Sequence, residues 1–339
     1  AAIGTVADLV KLQFDNRRIV KRGLVAINSG NSTKGLLKLM EVMQIESVNS
    51  STIAFNIGPA LNASGRLYDD GAQKMVELLS FDSDADGIIE MGREAKQAND
   101  TRKEKTTEIV NKVVSSLDVS DEDTVIVYKD ESNLTGIAGL VASKLVELYN
   151  RPAIVLMNAG DVIKGSARTF GDIDILASVS AAKDYLVSFG GHKEALGLSL
   201  KEEDFESFKI AVNKATKRVS LPDGITYNIE MSPSKKLWGL VKEFEKYEPY
   251  GTGNKKPVLM LKDVKLGTIM GNTHKIMGKN QEHVKLLNPD VDIIMFGGAS
   301  LYEDIGKPSV VSAIGDLAVN YWNGNKSLQL EAKAIRSEN

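Results

Sequence analysis

The 339-residue chain contains no cysteine. That excludes structural disulfides, thiolate zinc sites and a cysteine nucleophile together, and it fits a reducing, cytoplasmic setting. No apolar run approaches the ~20 residues that a membrane span needs, and no signal-peptide pattern opens the chain. Positive charge is not in excess either: 42 Lys/Arg stand against 45 Asp/Glu, a net charge of -3. A basic nucleic-acid-binding domain is therefore excluded, and any grip on nucleic acid must be a local patch. The stretch after residue 254 is slightly basic, with 11 Lys/Arg against 9 Asp/Glu.

What is present is ample apolar material, 42% of residues, in a chain long enough for two or three domains. The opening, Ala1-Ala2-Ile3-Gly4-Thr5-Val6-Ala7-Asp8, has no methionine and reads as a cut through a larger protein. Three- and four-residue apolar spacing predicts helices over 17–27, 33–43 and 72–79. Residues 83–117 read as one long helix, polar in its middle, of the kind that bridges two bodies. From 118 to about 220 strands and helices alternate. Strands are expected at 124–128, 153–157, 162–170 and 195–200, with helices after Thr135 and over 202–219. This is an α/β domain with a mixed sheet. A strand at 227–231 and a helix at 234–247 follow. Beyond the glycine-rich turn Glu248-Pro249-Tyr250-Gly251-Thr252-Gly253-Asn254, six short strands suggest a small OB-type barrel.

Two glycine-bearing motifs flank the apolar-periodic stretch 173–187. They are Gly165-Ser166-Ala167-Arg168 and Phe189-Gly190-Gly191-His192. Ser166 and Arg168, two apart on a strand, share a face. Arginine offers a planar fork for phosphate, serine a hydroxyl, and a glycine turn its backbone amides. His192 is a candidate phosphate donor or proton shuttle. Gly190-Gly191 reads equally as a helix stop, and His192 as an ordinary loop histidine.

These blocks, taken in order, resemble the RecJ family of single-strand-specific DNA exonucleases, members of the DHH phosphoesterase superfamily. Residues 3–8 resemble the family's fourth motif, and Ile57-Gly58-Pro59-Ala60-Leu61-Asn62-Ala63-Ser64-Gly65-Arg66-Leu67 the close of its catalytic domain. Residues 134–143, 165–168 and 189–192 resemble its DHHA1 domain, and 248–254 the lead-in to its OB-fold. The family's upstream Asp-x-Asp and Asp-His-His elements do not occur; the histidines here are His192, His274 and His283.

The resemblance implies an α/β multidomain chain. It would hold the C-terminal part of a DHH domain (1–82), a connecting helix (83–117), a DHHA1 domain with a following helical segment (118–254) and an OB-fold (255–339). It implies a 5'-3' exonuclease on single-stranded DNA, active in repair and recombination and using Mn2+ or Mg2+ in a two-metal site. The present residues would complete that site only through Asp8, so this chain alone should bind weakly and cut little. Asp8 is thus the implied metal ligand and, with His192, the implied catalytic residue; a helix cap is the plain alternative for Asp8. Arg66, with Asn62, would clamp a phosphate toward the 5' end; its plain alternative is a salt bridge to Asp69 or Asp70. Ser166, Arg168, Gly190, Gly191 and His192 would contact substrate. Tyr321, Trp322 and Lys326 would offer stacking and charge to a single strand. The implied partners are single-stranded DNA and replication or repair proteins such as a single-strand-binding protein or a helicase, on a monomer with no membrane. The alternatives are a DHH-family phosphodiesterase for short oligonucleotides or cyclic dinucleotides, and a non-catalytic nucleic-acid-binding scaffold of the same ancestry.

Overall fold

The computed structural model describes residues 1–82, 87–117, 119–120, 122–218, 224–268, 271–322 and 325–338, with backbone only at Tyr321 and Trp322. The chain forms two compact units: residues 23–221 make one, and residues 1–22 with 222–339 the other. No helix among the described residues is long and apolar enough to cross a membrane.

The first helices are α1 (Ala2–Ala7), α2 (Phe14–Asn28), α3 (Lys34–Val42) and the single turn α4 (Ser50–Thr52). Asn49 caps α4 with its side chain, and one π turn, Ile53–Ile57, leads straight into α5 (Gly58–Leu67). After α6 (Gly71–Ser80) comes α7 (Ile88–Ser116). This long helix packs on α3 and α5 and, further along, on α8 (Ala138–Tyr149). The sequence predicts a polar, bridging middle for it. It does connect the two sets of elements, and one face of its polar middle is also buried, at Ala95, Ala98, Asn99 and Thr106, where small side chains let the neighbouring helices approach.

The α/β part is a five-stranded sheet of β1 (Ile126–Asp130), β2 (Ala153–Ala159), β3 (Val162–Arg168), β4 (Ser188–His192) and β5 (Ala195–Leu200). The order is β1-β2-β3-β5-β4. β1 and β2 are parallel, joined by α8, and the other pairs are antiparallel. β2 is apolar from Ala153 to Met157, the five residues that are buried on both faces of the sheet. Ala153, Val155 and Met157 face α7 and α8. Ile154 and Leu156 face the opposite core, which holds α9 (Ile175–Ser180) and α10 (Phe205–Ala215). The stretch 173–187 is therefore a short helix followed by a 3-10 turn, Lys183–Tyr185, with Asp174 as N-cap. The pair Gly190-Gly191, read as a turn, lies within the edge strand β4. A run of two glycines carries no strand propensity, and the pairing with β5 supplies what the sequence does not.

The other unit contains β6 (Ile229–Met231), α11 (Leu237–Lys246), β7 (Leu259–Lys265), β8 (His274–Met277), β9 (His283–Leu286), β10 (Asp292–Met295), α12 (Ala299–Asp304), β11 (Val310–Trp322) and β12 (Asn325–Ser337). One sheet runs β6-β7-β11-β12-β10-β9-β8. The runs expected at 258–261 and 264–270 join into β7 within the described residues. Those at 310–313 and 328–332 are parts of two long strands paired through a bulge at Ile314/Gly315. Its core includes Leu259, Leu261, Val284, Ile293, Val311, Leu317 and Leu330, with Tyr302 fully buried.

In the same unit the 248–254 turn holds the segment that follows α1. The Leu12 N–H donates to the Thr252 carbonyl (2.7 Å), and the Gln13 amide to that of Gly253 (3.2 Å). Arg17 donates to the carbonyls of Tyr247 (2.6 Å) and Glu248 (3.3 Å) just beyond α11, where a cation meets the negative end of the helix dipole.

Candidate phosphate-binding site

The site grows from the face of the five-stranded sheet that α8 covers. Ile163, Ala167, Leu196, Leu198 and Leu200 belong to the opposite core. Strand alternation therefore turns Ser166, Arg168, Ala195, Gly197 and Ser199 to the α8 face. Register extends the same rows to the edge: Arg168 pairs with Ala195 and Ala195 with His192. Ser166 pairs with Gly197 and Gly197 with Gly190. Ser188 and Ser199, one row on, confirm the shared face by a 2.7 Å hydroxyl contact. Arg168 and His192 thus stand two strands apart, roughly 10 Å at the usual spacing.

Between them the floor is almost bare. A Cβ built on Gly190 would meet nothing within 4 Å, and one on Gly197 only the Gly165 carbonyl at 3.8 Å. The result is a shallow trough with Ser166 and Arg168 on one side and His192 on the other. Gly191 has a different role. Its φ of +152° aims a Cβ at the Ala195 carbonyl, 2.5 Å away, so only glycine lets β4 carry His192 beside Ala195.

Arg168 is half-buried because its guanidinium lies over Gly139 in the first turn of α8. It donates to the Ala167 carbonyl (2.8 Å). Arg66, in the last turn of α5, donates to the Gly136 carbonyl (3.0 Å) just ahead of α8. Asn62 lies one turn earlier on the same face of α5. The salt bridge that would have given Arg66 a plain structural role is absent among the described residues: Asp70 pairs with Lys74 (3.2 Å).

A third guanidinium joins them. Arg102, half-buried on α7, donates to Asn99 Oδ1 (2.6 Å), and Asn99 is itself buried. Burial first, and then the charge of Arg66, push the guanidinium pKa of both Arg102 and Arg168 down. Arginine stays protonated regardless, so the cluster holds three positive charges. Their hydrogen bonds go to neutral oxygens, and no ion pair to a carboxylate is found for any of them among the described residues. The N-terminus of α8 adds the positive end of a helix dipole. Everything gathered here is positive, and an anion relieves that arrangement.

The sequence missed Arg102. Its signal was the spacing Ala95, Ala98, Asn99, Arg102, Thr106, which marks a packed face of α7 pointing the same way as Arg66.

The other expected residues do not form a metal centre. Asp8 is exposed and closes α1 as its C-cap, in the other compact unit. Among the described residues no three histidine or acidic side chains come together to hold a metal ion, and one carboxylate falls short of the ~6 ligands that Mg2+ takes. Lys326 lies on β12, paired in register with Tyr321. The side chains of Tyr321 and Trp322 lie outside the described residues.

Comparison with known proteins agrees with this architecture. The DHHA1 domain model matches residues 121–218 and the RecJ OB domain model residues 227–334. A curated relative from Bacillus subtilis (strain 168), "Single-stranded-DNA-specific exonuclease RecJ", is 31% identical over 98% of this chain and 43% of its own length. The crystal structure of RecJ in complex with Mg2+ from Thermus thermophilus superposes with a TM-score of 0.78 at 28% identity, covering 100% of this chain and 52% of that one. The Mn2+ complex from the same organism gives the same score and identity, with coverage of 100% and 49%. The chain spans about half the length of the curated relatives it matches. With a DHHA1 domain followed by a RecJ OB domain, and one solved RecJ fold covering its whole length, the chain belongs to the RecJ family.

Proposed function

We propose that this chain holds the backbone phosphates of single-stranded DNA for a 5'-3' exonuclease of DNA repair and recombination. The observation that carries the reading is the convergence of Arg66, Arg102 and Arg168, without a carboxylate partner, beside a trough floored by glycine. Guanidinium forks suit phosphate oxygens, and a floor without side chains gives a strand room to lie down. Ser166 adds a hydroxyl next to Arg168, Asn62 an amide next to Arg66, and His192 a ring donor on the far bank. His192 binds a phosphate oxygen in this account.

The Thermus thermophilus RecJ structures hold Mg2+ or Mn2+, and a divalent metal is proposed for the reaction to which this chain contributes. Asp8 is proposed as one contributing ligand and no more, since the residues here do not build a centre around it. No bond-breaking step is therefore assigned to this chain. Its task is to bind the strand and fix its register.

Lys326 and the strands of the RecJ OB domain are proposed to guide the strand farther along. A monomer in the cytoplasm, working with single-strand-binding protein or a helicase, fits the same reading. The test is binding of a 5'-phosphorylated oligothymidylate by fluorescence anisotropy. Arg66→Ala and Arg168→Lys should each weaken binding about tenfold. Unchanged affinity in both would remove the arginine cluster from the DNA path.

A further inference from the structure

Asn99 and Arg102 lie one turn apart on α7, and Thr106 one turn further, so the three share a face. That face is turned inward: Asn99 is 3% exposed, and Thr106 is buried with it. The Arg102 guanidinium donates to Asn99 Oδ1 (2.6 Å), and the Thr106 hydroxyl donates to the Arg102 carbonyl (2.8 Å). The carboxylates nearby on α7 are engaged elsewhere. Asp100, next in sequence to Asn99, pairs with Lys96 (3.0 Å) and Lys103 (4.0 Å). Glu108 pairs with Lys105 (2.9 Å) and Lys112 (3.5 Å). The helix is thus rich in acid, yet the partner it gives Arg102 is an amide.

Each arginine of the cluster is held by a neutral acceptor, but the acceptors differ in kind. Arg66 uses the Gly136 carbonyl and Arg168 the Ala167 carbonyl. A backbone carbonyl is neutral whatever residue carries it. The acceptor of Arg102 is a side chain, so the residue at position 99 decides the charge there. Aspartate has the shape of asparagine and would accept the same hydrogen bond. It would also set a buried negative charge against Arg102, on which the charge of Arg66 already bears. An internal ion pair of that kind takes the place of a phosphate.

We propose that Asn99 is a positioning residue that sets the cluster's specificity for anions. It fixes the direction of the Arg102 fork and, being neutral, leaves the charge of that fork to an incoming phosphate. The proposal rests on the phosphate-binding reading above, and adds to it the group that keeps the site from closing on itself. Three like charges stay together without an internal counter-ion until an anion arrives.

The test compares the whole chain with Asn99→Asp and Asn99→Ala. Anisotropy follows a 5'-phosphorylated oligothymidylate over a range of salt, and thermal melts are run with and without pyrophosphate. In Asn99→Asp the new carboxylate neutralises part of the cluster. Its anion-free melting temperature should hold or rise, and the further rise given by pyrophosphate should vanish. DNA affinity should fall at least about tenfold. The slope of log Kobs against log salt should flatten by about 0.7, the share of one phosphate contact on a single strand. Asn99→Ala frees the Arg102 fork but keeps its charge. Its affinity should fall less, with the parent's salt slope and most of the pyrophosphate effect retained.

An Asn99→Asp chain that melts earlier than the parent, or fails to fold, would overturn the proposal, because an uncompensated positive cluster accepts a carboxylate. Equal losses in both variants would overturn it too, since Asn99 would then be a structural strut whose charge is immaterial. So would an Asn99→Asp chain that binds both anions as the parent does. A parent chain that binds neither probe would instead overturn the phosphate-binding reading, and the proposal with it.

Discussion

The guanidinium of Arg168 rests directly on Gly139: a β-carbon on that glycine would stand 2.4 Å from the arginine Nη2. The first turn of α8 therefore decides where the Arg168 fork points. Gly139→Ala should raise helix propensity by up to about 1 kcal/mol and push the guanidinium aside. The expected outcome is little change in melting temperature, with single-stranded DNA affinity reduced about tenfold. Thermal melts and anisotropy on the same protein check both halves.

The two glycines of β4 should separate stability from binding. Gly191→Ala places a Cβ 2.5 Å from the Ala195 carbonyl at a φ of +152°, and strain of this kind costs about 1–3 kcal/mol. Gly190→Ala meets nothing within 4 Å and should leave the melt within about 0.5 kcal/mol of the parent. Its methyl group stands in the trough, so DNA affinity should fall while the fold holds. A DNA affinity unchanged by Gly190→Ala would move the strand off this floor.

Three like charges held together make the cluster a destabilising element that an anion relieves. Pyrophosphate should therefore raise the melting temperature of the unit formed by residues 23–221, by an amount equivalent to about 2.7 kcal/mol at a hundredfold excess over its Kd. Arg168→Lys removes the planar fork but keeps the charge, and should lose most of that gain. Calorimetry with and without pyrophosphate reads the difference.

Much of this fold was legible in the sequence, for definite reasons. The short aliphatic run 153–157, flanked by turn residues, reads as a strand, and the two-residue spacing of Ser166 and Arg168 put them on one face. The remainder depended on pairing and packing. Gly190 and Gly191 look like a turn because glycine has no strand preference; β5 alone makes them a strand. Arg102 sits in a stretch whose charges read as a solvated surface, and only the approach of α5 to the small residues of α7 brings it to Arg66. In the second unit, β11 and β12 run 13 residues each, longer than their apolar segments, because the hairpin pairing continues past the core.

Arg17 anchors the segment after α1 through two carbonyls, Tyr247 and Glu248. Hydrogen bonds from a charged donor are worth about 1.5–3 kcal/mol, and partial exposure lowers that. Arg17→Ala should destabilise the unit of residues 1–22 and 222–339 by about 1 kcal/mol, read as an earlier urea midpoint.

The account's central claim is that Arg66, Arg102 and Arg168 hold a DNA phosphate. Salt dependence of oligothymidylate binding tests it most directly, because each phosphate contact to a single strand contributes about 0.7 to the slope of log Kobs against log salt. The parent chain should show a steep slope, and Arg66→Ala should flatten it by about 0.7 while weakening binding at every salt concentration. A slope and affinity identical in parent and variant would contradict the claim.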